Sequence, residues 1–106
     1  MVNFEEYGKI VCSALLYGNC IYISRKGHYA IFPMEPIGTL RNSEQGFVTE
    51  NGLFVDRKIA LYIAEYFNQI NIKHLPKDVL MSEDLKKDNI KILKYNKNYI
   101  YKKDNE

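Results

Sequence analysis

Apolar and polar positions change rhythm several times along this chain, and each change marks an element. Lys9 to Tyr17 (KIVCSALLY) is an almost unbroken β-prone run, Gly18-Asn19 is a two-residue turn, and Cys20 to Ser24 (CIYIS) resumes the β-prone pattern. That arrangement predicts an antiparallel hairpin. Tyr29-Ala30-Ile31-Phe32 fits either an extension of the sheet or the start of a helix, and the prolines at 33 and 36 with Gly38 and the polar residues 41–44 mark residues 33–44 as a loop. A second hairpin follows. Gly46-Phe47-Val48-Thr49 and Leu53-Phe54-Val55 flank Glu50-Asn51-Gly52, and Asn-Gly between β-prone runs is a strong hairpin signal. At Asp56 the apolar period lengthens: Ile59, Ala60, Ile63, Ala64 and Phe67 share one helical face, which predicts an amphipathic helix over 57–69 with Asp56 as its N-cap. Leu61, Tyr62 and Tyr66 fall off that stripe and are the candidates for a subunit contact.

Beyond the helix the pattern weakens. Asn71 to Val79, with His74 and Pro76, reads as an irregular surface segment, and Ser82-Glu83-Asp84-Leu85 reads as a new helix start capped by Ser82, with two acids placed for the helix dipole. Residues 86–103 carry seven lysines against the single acid Asp88, and they fit either a C-terminal helix or a hairpin of KILKY and YIYKK turned at Asn96-Lys97-Asn98. The expectation is one α+β domain over 1–106, with antiparallel hairpins packed on the central helix, a core at 9–85 and a basic extension at 86–106. A chain of 106 residues is long enough to bury a modest core without staples.

Composition narrows the class only slightly. The net charge is +2, and nine Tyr and five Phe with no Trp leave many ring faces for packing, subunit contact or base stacking. Two cysteines, no signal-peptide pattern and no apolar run near the ~20 residues a membrane helix needs point to a reduced protein of the cytoplasm with no membrane partner. Cys12 and Cys20 flank the first turn, but a disulfide between them is not expected in that compartment. No P-loop, GxGxxG, GxSxG, HExxH or zinc spacing is present, so no catalytic residue, metal site or cofactor is assigned. Cys12 reads as a small strand hydrophobe, His74 as a surface histidine, and Glu5-Glu6 as solvated acids.

The remaining chemistry suits a phosphorylated, base-containing ligand. Arg25, Lys26 and His28 follow the first hairpin, Phe47 lies in the second, and Asp56-Arg57 opens the helix. A guanidinium fork gives phosphate two parallel hydrogen bonds, a helix N-terminus offers amides, and a ring offers a face to a purine. Each also has a plainer reading, Arg57 as a solvated helix residue and Phe47 as core.

Arg25-Lys26-Gly27-His28, Gln45-Gly46-Phe47-Val48-Thr49, Gly52-Leu53-Phe54-Val55-Asp56-Arg57-Lys58, Asn68-Gln69-Ile70 and Ser82-Glu83-Asp84-Leu85 together resemble a family of small phage proteins. The pattern is similar to the first-described type of Thoeris anti-defence protein, a sponge for a cyclic ADP-ribose isomer used as a bacterial immune signal. The resemblance spans residues 9–85. The chain departs from it by placing Lys26-Gly27 between Arg25 and His28, by carrying Asn68 where glycine is common, and by continuing about twenty residues past Leu85. It implies a non-enzymatic protein that binds its cyclic nucleotide intact, assembles as dimers that associate into hexamers, and places pockets between protomers. The ligand-binding set expected on this basis is Arg25, Lys26, His28, Phe47, Asp56, Arg57, Gln69 and Lys73. The alternative is a phage nucleic-acid-binding or host-inhibiting protein using the lysine-rich segment, and a small nucleotide hydrolase stands third.

Overall fold

Strand β1, Ile10–Tyr17, is buried on both faces from Ile10 to Leu15, and a strand with no solvent face belongs in the middle of a sheet covered on both sides. The computed structural model of the protein describes residues 3–24, 43–85, 94 and 96–103. Their order is α1 (Phe4–Tyr7), β1, β2 (Cys20–Ser24), β3 (Glu44–Thr49), β4 (Phe54–Asp56), α2 (Arg57–Tyr66), a 3-10 turn at Ser82–Asp84, and β5 (Ile100–Lys103). The strands form one mixed sheet in the order β4-β3-β1-β2-β5, with β1 antiparallel to both β2 and β3, β3 antiparallel to β4, and β5 parallel to β2. The fold is α+β, as the pattern predicts.

Both hairpins form where expected, by different turn chemistry. In the first, Tyr17 pairs with Cys20 across Gly18-Asn19, and Gly18 takes a left-handed φ of 61° at the first central position, the order of a type II′ turn. In the second, Thr49 N–H bonds Leu53 C=O at 3.0 Å, and the left-handed residue is Gly52 at φ 78° rather than Asn51. The loop is therefore Glu50-Asn51-Gly52. The register also separates the cysteines: Cys20 lies at the turn opposite Tyr17, Cys12 lies opposite Val48 on β3, and both are free.

Helix α2 is capped as predicted, with Asp56 Oδ1 accepting from Ile59 N–H at 2.8 Å. It ends at Tyr66 instead of residue 69. Asn68 is left-handed at φ 56°, Gln69 N–H bonds Ala64 C=O at 2.8 Å and Asn68 N–H bonds Glu65 C=O at 3.2 Å, so residues 67–69 are a Schellman cap. The core stripe is also rotated from the expected one. Leu61 is buried with Ala60, Ile63 and Ala64, whereas Ile59 is exposed beside Tyr62 and Tyr66. The cause is the chain after the cap, which folds back along the Leu61 side and brings Leu80 and Ile70 into the same cluster as Phe47 and Val55.

Ser82 caps no α-helix. The segment is a single 3-10 turn with Met81 at its N-cap, and Asp84, expected on a solvated first turn, is fully buried. The YIYKK run does supply a strand, β5, which pairs with β2. KILKY lies mostly outside the described residues, as does the alternative at 29–32. On the face opposite α2, Tyr99 and Tyr101 cover Cys12, Ala14, Ile21, Ile23 and Val48. The Tyr101 hydroxyl donates to Gly52 C=O at 2.7 Å and accepts from Asn96 N–H at 2.9 Å, which ties the C-terminal segment to the second turn.

Gln69 performs the most specific structural task. Its side-chain amide is buried and brackets Ile10, accepting from the Ile10 N–H and donating to the Ile10 C=O, each at 2.8 Å. This occurs where the β1–β3 register shifts between Ile10 and Cys12, so the side chain satisfies backbone groups at the irregularity. Gln69→Ala is expected to lower stability by roughly 2–4 kcal/mol, because two buried backbone groups lose their partner. Urea unfolding checks this, and an unchanged midpoint would remove the clip from the account of stability.

Candidate functional site

At the N-terminal end of α2 a cation lies against one residue of a cross-strand row in the sheet. Phe47, Ser13 and Ser24 are register partners across β3, β1 and β2. Arg57, the first residue of α2, lies with its guanidinium carbon 5.9 Å from the Phe47 ring centre. One nitrogen donates to Gln45 Oε1 at 2.7 Å, and the other to Leu80 C=O at 2.9 Å, with Met81 Sδ at 3.7 Å. Leu80 N–H in turn bonds Arg57 C=O at 2.9 Å. Beside this group the Ser13 and Ser82 hydroxyls meet at 2.7 Å.

Arg57 is partly buried, and all its acceptors are neutral: no carboxylate lies within ion-pairing distance among the described residues. Burial pushes its pKa below the ordinary value, while the more distant Glu83 carboxylate acts in the opposite direction. At any physiological pH it remains a cation. A desolvated guanidinium held by neutral oxygens over a ring keeps its charge available to an incoming anion.

A second network organises the loop after α2. The buried Asp84 carboxylate accepts through Oδ1 from His74 N–H at 2.7 Å and lies 2.8 Å from His74 Nδ1, and through Oδ2 accepts from Met81 N–H at 2.8 Å and Lys73 Nζ at 2.9 Å. Lys73 Nζ also donates to the carbonyls of His74 and Pro76. An ammonium has three N–H donors, so Lys73 is saturated. Burial pushes the Asp84 pKa up, but hydrogen bonds from Met81, Lys73 and His74 outweigh it and hold the carboxyl below its usual range.

Of the expected ligand set, Phe47, Asp56 and Arg57 are brought together. Phe47 is wholly buried, so it supports Arg57 from below; Asp56 caps the helix beside it. Gln69 and Lys73 lie at the other end of α2, one holding Ile10 and the other Asp84. Arg25, Lys26 and His28 lie outside the described residues. Gln45, Ser13 and Ser82 were not expected at the site, although a lone hydroxyl inside KIVCSALLY was a signal for Ser13. His74, read as a surface residue, is half exposed yet engaged with Asp84. Among the described residues no three His, Cys, Asp or Glu side chains gather in a way that holds a metal ion, and no helix is long and apolar enough to cross a membrane.

A family model described as phage T4 y16D protein matches residues 9–85. The chain belongs to the phage T4 y16D protein family. This agrees with the phage origin that the resemblance implied, while the family description carries no Thoeris or cyclic ADP-ribose assignment. No curated protein and no solved structure matches the chain. Arg57, Phe47, Gln69 and Asp84 all fall within the y16D match, and β5 falls outside it.

Asp84→Asn is expected to destabilise the protein by about 3 kcal/mol at neutral pH, since a buried charged acceptor of several hydrogen bonds is lost. The folded-state pKa is depressed, so the contribution is present above the ordinary carboxylate range and is lost as pH falls through the folded value. Unfolding measured at pH 7 and pH 3 should therefore show the gap between wild type and variant shrinking in acid. A constant gap would contradict the assignment.

Proposed function

We propose that this y16D-family protein is a phage anti-defence protein that binds an anionic nucleotide immune signal, a cyclic ADP-ribose isomer, and sequesters it without cleaving it. The observation that carries the reading is Arg57, a partly buried guanidinium over Phe47 whose hydrogen-bond partners among the described residues are neutral, at the start of a helix whose dipole also favours an anion. The resemblance through Arg25-Lys26-Gly27-His28 and Phe54-Val55-Asp56-Arg57-Lys58 supplies the identity of the signal. Sequestration requires affinity and abundance alone, because lowering the free signal below its effector's dissociation constant silences the response by mass action. The only acid adjoining Arg57 in sequence, Asp56, is engaged as a helix cap, which suits it poorly to donate a proton.

Arg57→Lys retains the charge and loses the planar fork. It is expected to weaken binding of a cyclic ADP-ribose isomer by ~1.5–3 kcal/mol in calorimetry, with thermal stability monitored alongside. Unchanged affinity in a folded variant would remove Arg57 from the site. Ligand released by heat from the complex after long incubation should have its original mass and still activate the signal's effector; recovery of cleaved products would establish an enzyme instead.

The nucleic-acid reading has one observation in its favour: on β5, at the edge of the sheet, the exposed Lys102 ammonium lies 5.6 Å from the centre of the buried Tyr22 ring. Ionic strength separates the readings, since phosphate-backbone binding weakens steeply with salt. A dimer is proposed through Ile59, Tyr62 and Tyr66, which form an exposed stripe along α2. Light scattering at micromolar concentration is expected to give about twice the chain mass of 12.4 kDa, and Tyr62→Glu is expected to return it to that mass.

A further inference from the structure

A cleft of about 390 Å³ opens at the other end of α2 from Arg57, between the C-terminal half of the helix and the loop that follows its cap. That volume lies in the range of small-molecule sites. Its floor is apolar, built from Leu61, Ala64 and Ile70. Two groups of opposite charge line it, Glu65 from the helix and Lys77 from the loop. Lys73 also lines the cleft, but its charge is matched by Asp84 and its donors are occupied. The Glu65 carboxylate and the Lys77 ammonium, by contrast, make no hydrogen bond or ion pair among the described residues.

The sign of the surroundings selects the ligand. The C-terminal end of a helix is the negative end of its dipole and attracts cations, and Glu65 adds a full negative charge there. A phosphate dianion would meet one available ammonium against both of these. An ammonium group on the Glu65 side and a carboxylate on the Lys77 side satisfy every charge, and an apolar body between them covers Leu61, Ala64 and Ile70.

We infer that this cleft binds a small zwitterion with an apolar body, an apolar amino acid or an apolar dipeptide, whose ammonium group is held by Glu65 and whose carboxylate is held by Lys77. The site is separate from the Arg57 cluster and stands whether or not that cluster binds a nucleotide.

Nuclear magnetic resonance of the isotopically labelled full chain tests it, with L-phenylalanine, L-leucyl-L-phenylalanine and AMP as probes. One or both zwitterions should shift the amides of Leu61, Glu65 and Ile70 saturably below about 10 mM, and the tighter of the two identifies the source. N-acetylation and C-amidation of the binder should each weaken it by about tenfold. Glu65→Gln should abolish the penalty of acetylation, and Lys77→Met that of amidation, while Arg57→Lys leaves both unchanged. Both substitutions are on exposed side chains and leave the core intact. The inference is overturned if neither zwitterion gives saturable shifts, if AMP occupies the cleft more tightly than both, or if Glu65→Gln and Lys77→Met bind the zwitterion as well as the native chain.

Discussion

A central strand that is apolar on both faces has to be covered on both faces, and the architecture follows from meeting that requirement in a short chain. β1 joins β2 and β3 on its two edges, which satisfies its backbone, but the sheet then presents apolar residues in both directions. α2 covers one side through Ala60, Leu61, Ile63 and Ala64 over Phe47 and Val55. The other side is covered by Tyr99 and Tyr101, from a segment beyond the span of the family match. The basic extension therefore contributes to the core and is more than an appendage: Tyr99 and Tyr101 pack inward while Lys102 is exposed.

The same requirement shapes the loop after α2. For Leu80 and Ile70 to join the core, the chain must return along the helix without a regular ladder, and its backbone groups then need individual partners. Asp84 provides them for His74 and Met81 and also holds Lys73, while Gln69 ties the start of the loop to β1 through both backbone groups of Ile10. Close approaches reinforce the arrangement. A side chain at Gly52 would collide with Lys94 C=O at 2.2 Å, and one at Gly46 with Val55 C=O at 2.1 Å.

This division of labour sorts the residues that carried the family resemblance. Gln69 and Asp84 hold the fold, and Asn68 stands at the left-handed position of a helix cap, where glycine is the commonest residue. The departure at Asn68 is thus a substitution tolerated by backbone geometry, since asparagine enters the left-handed region more readily than most side chains. Arg57 differs from these. Its neutral partners locate the cation without cancelling its charge, which is the behaviour expected of a group that meets an anion.

The local part of this protein was legible in the sequence because it rests on neighbours within a few positions. Asn-Gly and Gly-Asn turns, the Asp56 cap and the change of apolar period each report backbone preferences of adjacent residues, so both hairpins and α2 could be placed from the pattern alone. The Arg57 and Phe47 pairing was also within reach, because a hairpin leading straight into a helix brings its strand and the helix start together. Decisions made over long separations were not. Which side of α2 faces the core depended on where the 70–85 loop returned, and that exchanged the roles of Ile59 and Leu61. Ser82-Glu83-Asp84 has the composition of a helix start, yet Asp84 is buried because Lys73 and His74 reach it and outweigh the cost of taking its charge from water. The parallel pairing of β5 with β2 joins residues about eighty positions apart, and no local signal encodes a partner at that distance; only burial of the second sheet face selects it.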